Sequence, residues 1–256
     1  MTQAQSFDKI AELYGEVRRG YPAQLFDDLQ VLAGLAPTAN VLEIGSGAGQ
    51  ATGDLAIRAN CVTALDPGPA LIEQARLRAP ASNIEYAVVK FEDYVPVPSS
   101  FDLVASAQAW HWVDPVIGFP KAAQALRPNG ALAIFGHVPM TLPEPINSAF
   151  RPIVEEYWPG VWGSPPSQAY YLETGPVAQM ITNSGLFGPV THRAYSWTWT
   201  LDPDLLGRYL RTDSSYHALP ERERFAMFDA MSAAVTNHGG RLEAPWETHL
   251  YVARRA

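Results

Sequence analysis

Three glycines at every second position, Gly45, Gly47 and Gly49, follow the apolar run Val41-Leu42-Glu43-Ile44. An apolar run with a carboxylate near its end that breaks into glycines is the pattern of a buried parallel strand turning sharply into a helix. Without Cβ atoms such a loop lets a ligand come close, and the helix behind it offers unpaired N–H groups at its start. A nucleotide-type cofactor suits that arrangement. About twenty residues after the first glycine, the spacing at which such folds place a ribose-binding acid, Val62-Thr63-Ala64-Leu65 ends in Asp66, with Pro67 and Gly68 behind it. A carboxylate there can accept hydrogen bonds from both ribose hydroxyls; its competing use is as an N-cap for a helix over Pro69 to Arg78. Further on, Ala107-Gln108-Ala109-Trp110-His111-Trp112-Val113-Asp114 sets a histidine between two tryptophans just past another apolar run. An imidazole there can take a proton from a hydroxyl or carbon acid, or fix its own loop by bonding to the backbone. His137 is the second such candidate.

These groups need a frame that brings them together. Helix and strand patterns alternate from the glycine loop onward: helix Ala51 to Ala59, strand Val62 to Leu65, helix Ala70 to Arg78, strand Ile84 to Val89, strand Phe101 to Ser106, helix Val116 to Leu126, strand Ala131 to Phe135. Such alternation predicts an α/β fold with a doubly wound parallel sheet. Right-handed crossovers then gather the strand ends along one crevice, with Glu43, Asp66 and Lys90 at or near those ends. Ahead of it, Phe7, Ile10, Leu13 and Tyr14, then Leu25, Phe26, Leu29 and Leu32, recur at helical intervals on either side of Arg18-Arg19-Gly20-Tyr21-Pro22, so two helices meet at an irregular joint. Met140 to Tyr171 breaks the alternation with prolines and aromatics; it reads as a cap whose Trp158, Trp162 and Tyr170 face an acceptor, or else as a cap that only packs. Helix Val177 to Ser184, a Tyr-, Trp- and Thr-rich strand Val190 to Leu201, helices Asp202 to Leu210 and Pro220 to Asn237, and strand Thr248 to Ala253 complete the chain.

A dinucleotide fingerprint, G-x-G-x-x-G, would need glycine where Gln50 stands. With Glu43 two residues before the first glycine, the loop instead resembles motif I of the class I S-adenosylmethionine (SAM) dependent methyltransferases. The run Phe7, Asp8, Ala11, Tyr14, Arg18, Gly20-Tyr21-Pro22 resembles the opening F-x-x-x-A-x-x-Y-x-x-x-R-P-x-Y-P of the type 11 group, with Arg19 at the first proline. The segment from Ala107 to Asp114 is similar to the A-Q-A-x-H-W-F-D stretch of enzymes related to trans-aconitate methyltransferases. The resemblance extends from about Phe7 to His137 and more loosely beyond. It implies a Rossmann-like seven-stranded sheet, mostly parallel with the last strand antiparallel, and SAM as cofactor. Glu43, Gly45, Ser46, Gly47 and Gly49 would hold its methionine end, Asp66 and Pro67 its ribose, Phe91 and Glu92 its adenine, and Ala107 and Gln108 complete the set. Lys90 stands where the family often has an aspartate. Tyr14 and Arg18 would form a lid, Trp110 and His111 would join the cap aromatics in the acceptor pocket, and His111 is the candidate catalytic group.

The chain has 256 residues and fits a single domain: an N-terminal helical lid (1–36), a cofactor-binding core (37–139), the cap insertion (140–175) and the rest of the core (176–256). Eighteen Lys and Arg against 26 Asp and Glu give a net charge of −8, which disfavours a nucleic acid partner and leaves a small-molecule acceptor as the expectation. The absence of an Asn-Pro-Pro-Tyr type segment after the fourth strand points the same way. One cysteine, Cys61, rules out an intrachain disulfide framework, and no compact ligand spacing suggests a metal. No run resembles a signal peptide or a membrane span, so a cytoplasmic protein is expected. Transfer of a methyl group is an in-line displacement that alignment and exclusion of water can accelerate without acid–base groups. A carboxylate acceptor needs only positioning, whereas a hydroxyl needs a base. Two other readings use the same loop: a SAM-binding protein without turnover, and a NAD-dependent oxidoreductase, which lacks both its third spaced glycine and a hydride-transfer Tyr-Lys pairing.

Overall fold

A computed structural model describes residues 10–159 and 169–256 of the chain. Phe7, Asp8 and Trp162 lie outside them. Helices α1 (Ala11–Val17) and α2 (Ala23–Ala33) precede β1 (Asn40–Ile44), α3 (Thr52–Ile57), β2 (Cys61–Asp66), α4 (Pro69–Arg78), β3 (Ile84–Val88) and β4 (Phe101–Ala107). A one-turn 3-10 helix over Trp110–Trp112 leads into α5 (Pro115–Ala125) and β5 (Leu126–Pro139). Then follow α6 (Ile146–Tyr157), α7 (Val177–Asn183), β6 (Thr191–Leu201), α8 (Pro203–Leu210), α9 (Ser214–Ala218), α10 (Glu221–Asn237) and β7 (Leu242–Arg254).

The strands form one seven-stranded sheet in the order β3-β2-β1-β4-β5-β7-β6. β1 to β5 are parallel, and β7 runs antiparallel between β5 and β6. Side-chain alternation decides which face each residue serves. Val41, Leu103 and Ala133 pack against Leu25, Phe26 and Leu29 of α2 and Leu55 of α3 on one face. Their neighbours Leu42, Val104 and Ile134 pack against Phe119 and Ala122 of α5 and Ile181 of α7 on the other. Sheet strands covered on both faces read as continuous apolar runs, as β1 and β4 do.

Two strands are longer than periodicity suggests. β5 begins at Leu126 because the Arg127-Pro128-Asn129-Gly130 turn is folded into the sheet as an irregularity, with Asn129 at φ 65° and a register shift against β4 between Phe101 and Leu103. β7 begins at Leu242, six residues before Thr248, and Pro245 disguises that extension. Proline is tolerated there because β5 ends at Pro139, paired with Trp246, so Pro245 stands just past the last pair on that side. The resulting two-stranded β6–β7 ribbon, paired from Thr191 with Val252 to Leu201 with Leu242, projects beyond the rest of the sheet. Its outer end carries a third core: Trp199, Leu201, Ala244 and Trp246 pack against Phe150 and Val154 of α6, Leu206 and Leu210 of α8, and Met227 and Met231 of α10. The cap is therefore built from residues well past 175 as well as from α6. Among the described residues no helix is long and apolar enough to cross a membrane.

Candidate active site

A cavity of about 870 Å³ opens over the carboxyl ends of the parallel strands and continues along the projecting β6–β7 ribbon. At its β1 end two bonds hold the glycine loop and a third braces the acid that accepts one of them. Ser46 N donates to Leu65 O at 2.9 Å, Gly47 N to one Asp66 carboxylate oxygen at 2.9 Å, and Gly68 N to the other at 2.8 Å. Asp66 thus ties the turn after β1 to the turn that starts α4 while it lines the cavity. It is not the N-cap of α4, a place taken by Gly68. Gly45 has φ 69°, and a Cβ on it would lie 2.3 Å from the Cβ of Ala109, so the loops after β1 and β4 touch across the cavity floor. Gly49, at φ 83°, instead faces α4: a Cβ there would come within 3.1 Å of Ala75 Cα. It packs the loop on a helix and is not on the cavity wall.

Glu43 also sits behind the loop, fully buried and off the wall. Burial raises its pKa to about 7, against a weaker opposing pull from Thr52, which faces it without making a full hydrogen bond. Ser46 Oγ and Gln50 Nε2 are likewise buried without partners. Buried polar atoms ordinarily find partners; a knot of them under a glycine loop suits the polar amino-acid end of a ligand. Tyr14 and Arg18 of the N-terminal arm close over this end. Arg18 is anchored through Nε to Thr212 Oγ1 at 2.9 Å and through a terminal nitrogen to Thr212 O at 3.0 Å, and it lies over the rings of Tyr14 and Tyr209.

The β2–β3 side forms an apolar slot with a polar lip. Leu65, Leu71, Val89 and Phe91 line it, Pro67 and Lys90 join them, and Ile117 and Val113 close it from α5 and the turn before it. Lys121 Nζ donates to the carbonyls of Phe91 at 3.1 Å and Tyr94 at 2.9 Å, and to that of Glu92, fixing the turn after β3. Glu92 is on the wall, with one carboxylate oxygen accepting from Asp114 N at 3.1 Å. Past β4, Ala107 and Gln108 line the floor, and Gln108 holds an uncommon φ of 55°. Its backbone N donates to Phe135 O at 2.8 Å and its Oε1 accepts from His137 N at 2.6 Å, which couples the β4 and β5 ends.

His111 lines the cavity, whereas its neighbour Trp110 does not. Trp110 is 1% exposed and belongs to the core with Phe91 and Phe119, so its expected place in the acceptor pocket is corrected. The tight 3-10 turn explains the difference: consecutive residues there point to different sides, and the larger apolar indole takes the inner one. Tyr170 is corrected too; it stacks edge-on to His111 at 5.6 Å and bonds Met180 Sδ, off the cavity wall. Its neighbour Tyr171, buried at 3% exposure, brings its phenolic oxygen to 2.9 Å from His111 Nδ1. Open to the cavity on one side and enclosed by Trp112, Tyr170 and Tyr171 on the others, the His111 ring is desolvated, which pushes its pKa down to about 4.

The other end of the cavity is walled by aromatics, only one of which, Trp158, was expected there from the sequence. Trp197 and Trp199 of β6, Trp246 of β7, Tyr209 of α8 and Tyr21 join Trp158. Trp197 pairs directly with Trp246 across the β6–β7 ribbon and stacks on it at 5.7 Å. His137 completes this wall, stacked on Tyr21 at 4.4 Å with Nδ1 2.8 Å from Thr248 Oγ1. Burial, and secondarily Arg18, push its pKa down to about 4, so it is neutral. A signal for β6 was present: Tyr195, Trp197 and Trp199 stand two apart, which sets them on one face of a strand.

A glycine turn after β1 wedged against the β4 turn, an acid at the end of β2, and a seven-stranded sheet with a reversed strand β7 at its far side are together the architecture of the class I methyltransferases. The fold is theirs, and a sequence match to a methyltransferase domain covers its cofactor-side core. Residues 42–134 match the type 11 methyltransferase domain family. An uncharacterised methyltransferase of Mycobacterium tuberculosis is 35% identical over 130 residues, covering 50% of this chain and 51% of that protein. A malonyl-[acyl-carrier protein] O-methyltransferase of Acetivibrio thermocellus is 31% identical over 135 residues, 51% of this chain and 47% of its own length. The alignments thus span about half the length of these relatives. Among solved structures, a candidate type II methyltransferase from Anaeromyxobacter dehalogenans superposes with a TM-score of 0.63 at 24% identity, covering 93% of this chain and 97% of that one. Phosphoethanolamine N-methyltransferase 2 of Haemonchus contortus, in complex with phosphomonomethylethanolamine and S-adenosylhomocysteine, gives 0.58 at 17% identity over 100% of this chain and 60% of its own. At these identities the two structures show a common fold.

Proposed function

We propose that this protein transfers the methyl group of SAM to an oxygen, carboxylate or hydroxyl, of a small organic molecule. The observation that carries the proposal is the continuity of the cavity: one chamber joins Gly45, Gly47 and Asp66 at one end to Trp158, Trp199 and Trp246 at the other. Two ligands can therefore meet inside it away from water. The residues fit SAM without an added group. Gly47 leaves open the space over the loop that a Cβ would enter, Asp66 lines the cavity as the acceptor for the ribose in this reading, and Phe91 and Leu65 give an apolar slot suited to adenine. When bound, SAM supplies an electrophilic methyl carbon on a sulfonium.

The chain contributes position and dryness. Tyr14 and Arg18, pinned to Thr212, close the cofactor end; the tryptophan wall takes the apolar body of the acceptor. His111 and His137, both neutral at pH 7, stand near the boundary between the two ends and present polar atoms without adding charge. The relatives named for O-methylation, the malonyl-[acyl-carrier protein] enzyme and a ubiquinone biosynthesis O-methyltransferase of Xanthomonas campestris, support oxygen as the accepting atom. The acidic charge of the chain supports a small molecule over nucleic acid. The test is release of S-adenosylhomocysteine from SAM over a panel of carboxylic acids, phenols and alcohols, with amines, transfer RNA and a peptide library as controls. Product with the oxygen acceptors is expected. Product confined to amines or to a macromolecule would overturn the proposal.

A further inference from the structure

We infer that Tyr171 holds His111 in the tautomer with its proton on Nε2, so that His111 meets the methyl acceptor as a hydrogen-bond donor and takes no proton from it. The inference rests on the methyl-transfer reading for its chemical meaning, but its geometry is independent of that reading.

Among the hydrogen bonds of the described residues the phenolic oxygen of Tyr171, buried at 3% exposure, has one partner, and a buried hydroxyl proton left without an acceptor is costly. The polar atom placed to take that proton is His111 Nδ1, 2.9 Å away. Burial, reinforced by Tyr21 and Tyr170, raises the Tyr171 pKa well above its ordinary value, so the phenol keeps its proton to donate. Nδ1 must then be bare, and a neutral imidazole with a bare Nδ1 carries its proton on Nε2.

The clamp on the imidazole is itself braced. Tyr251 Oη donates toward the carbonyls of Tyr171 at 3.0 Å and Leu172 at 2.8 Å. On β5, Gly136 leaves room for the Tyr171 ring: a Cβ there would fall 2.6 Å from Cγ. Trp112 and Tyr170 flank the imidazole at 4.7 and 5.6 Å, so it has little freedom to turn.

A general base needs a lone pair aimed at the proton it removes. With Nε2 protonated and Nδ1 engaged, His111 has none to offer. An acceptor that bonds His111 Nε2–H must therefore offer it a lone pair and keep its own proton balance without His111, which among oxygen acceptors near neutral pH suits a carboxylate. Nε2–H orients one carboxylate oxygen while the carboxylate lone pair forms the new bond to the methyl carbon. The carbon–sulfur bond breaks with its electron pair staying on sulfur, and no proton moves.

The first test needs no turnover. In a two-bond proton–nitrogen spectrum of protein labelled with 15N-histidine, His111, assigned by the peaks missing from His111→Gln, is expected to show a pyrrole-like Nε2 and a pyridine-like Nδ1. The reverse pattern overturns the inference. Tyr171→Phe, checked for its fold by SAM binding, is expected to release the imidazole into a mixture of tautomers, and an unchanged pattern would remove Tyr171 from the account. The second test is kinetic. His111→Gln keeps a donor near the Nε2 position but cannot act as a base, so kcat with a carboxylate acceptor should fall by less than about tenfold, the worth of one neutral hydrogen bond. Loss of a base costs about 10² to 10⁴-fold, and a fall of that size would contradict the donor role. Failure of the methyl-transfer reading itself would show as no turnover with any acceptor while the spectrum stayed as expected.

Discussion

Replacing Asp66 by Asn tests the site at its most constrained point. Asp66 is 6% exposed and its carboxylate accepts two backbone N–H groups, from Gly47 at 2.9 Å and Gly68 at 2.8 Å. Asparagine has one carbonyl oxygen to offer; its amide nitrogen would face the second N–H, donor against donor. A hydrogen bond to a charged group contributes roughly 1.5–3 kcal/mol, and a buried donor left alone costs about 1–3 kcal/mol. The substitution should therefore destabilise the protein without ligand by roughly 2–4 kcal/mol. It should also weaken SAM by about 1.5–3 kcal/mol, on the order of ten- to a hundredfold in affinity, because the ribose loses a charged acceptor and the glycine loop loses its tether. Thermal melts without ligand and calorimetric titration with SAM at a temperature where the variant is folded read the two effects separately. SAM affinity within about twofold of the parent, less than half a kcal/mol, in a folded variant would refute the assignment of Asp66 to the cofactor.

Other outcomes follow from the same geometry. Gly45→Ala puts a Cβ 2.3 Å from that of Ala109 at a φ of 69°, and the loop must part from the β4 turn; SAM binding should fall at least tenfold with little change in far-UV circular dichroism. Glu43 carries a pKa raised to about 7 by burial, so the folded state binds a proton that the unfolded state releases near 4.5. Its burial cost is absent below about pH 4.5 and grows as pH rises toward 7. Glu43→Gln should thus gain stability relative to the parent across that window, up to about 3 kcal/mol above pH 7, seen as a widening gap between melting temperatures. Arg18→Met removes both bonds to Thr212, and amide hydrogen exchange across Ala11–Val17 should quicken, while exchange in β1 and β4 stays slow.

The sheet was legible because apolar runs broken by Gly, Pro and Asp mark buried parallel strands, and β1 to β4 fall within a residue or two of where those signals put them. The floor of the site followed from spacing, since Gly45, Gly47 and Asp66 lie at strand ends that the fold itself gathers. What sequence left hidden depends on contacts between distant segments. Pro245 concealed the first half of β7, and with it the pairing of Trp197 with Trp246 that builds the acceptor-side wall. Trp110 and His111 are adjacent and both suit a pocket; only the sense of the 3-10 turn and the space beside Phe119 decide that the indole goes inward. Likewise Tyr170 and Tyr171 are alike in a list, but the room left by Gly136 selects Tyr171 to meet His111. Glu43 and Gly49 belong to the motif by position yet serve it from behind, one beneath the loop and one against Ala75.

The most direct test of the central claim is calorimetric titration of the purified protein with SAM, S-adenosylhomocysteine and NAD, side by side. Binding of the first two in the micromolar range, about −8 kcal/mol, with no heat from NAD, is the predicted result. Binding of NAD alone, or of none of the three, would contradict the assignment of the glycine loop and Asp66 to SAM.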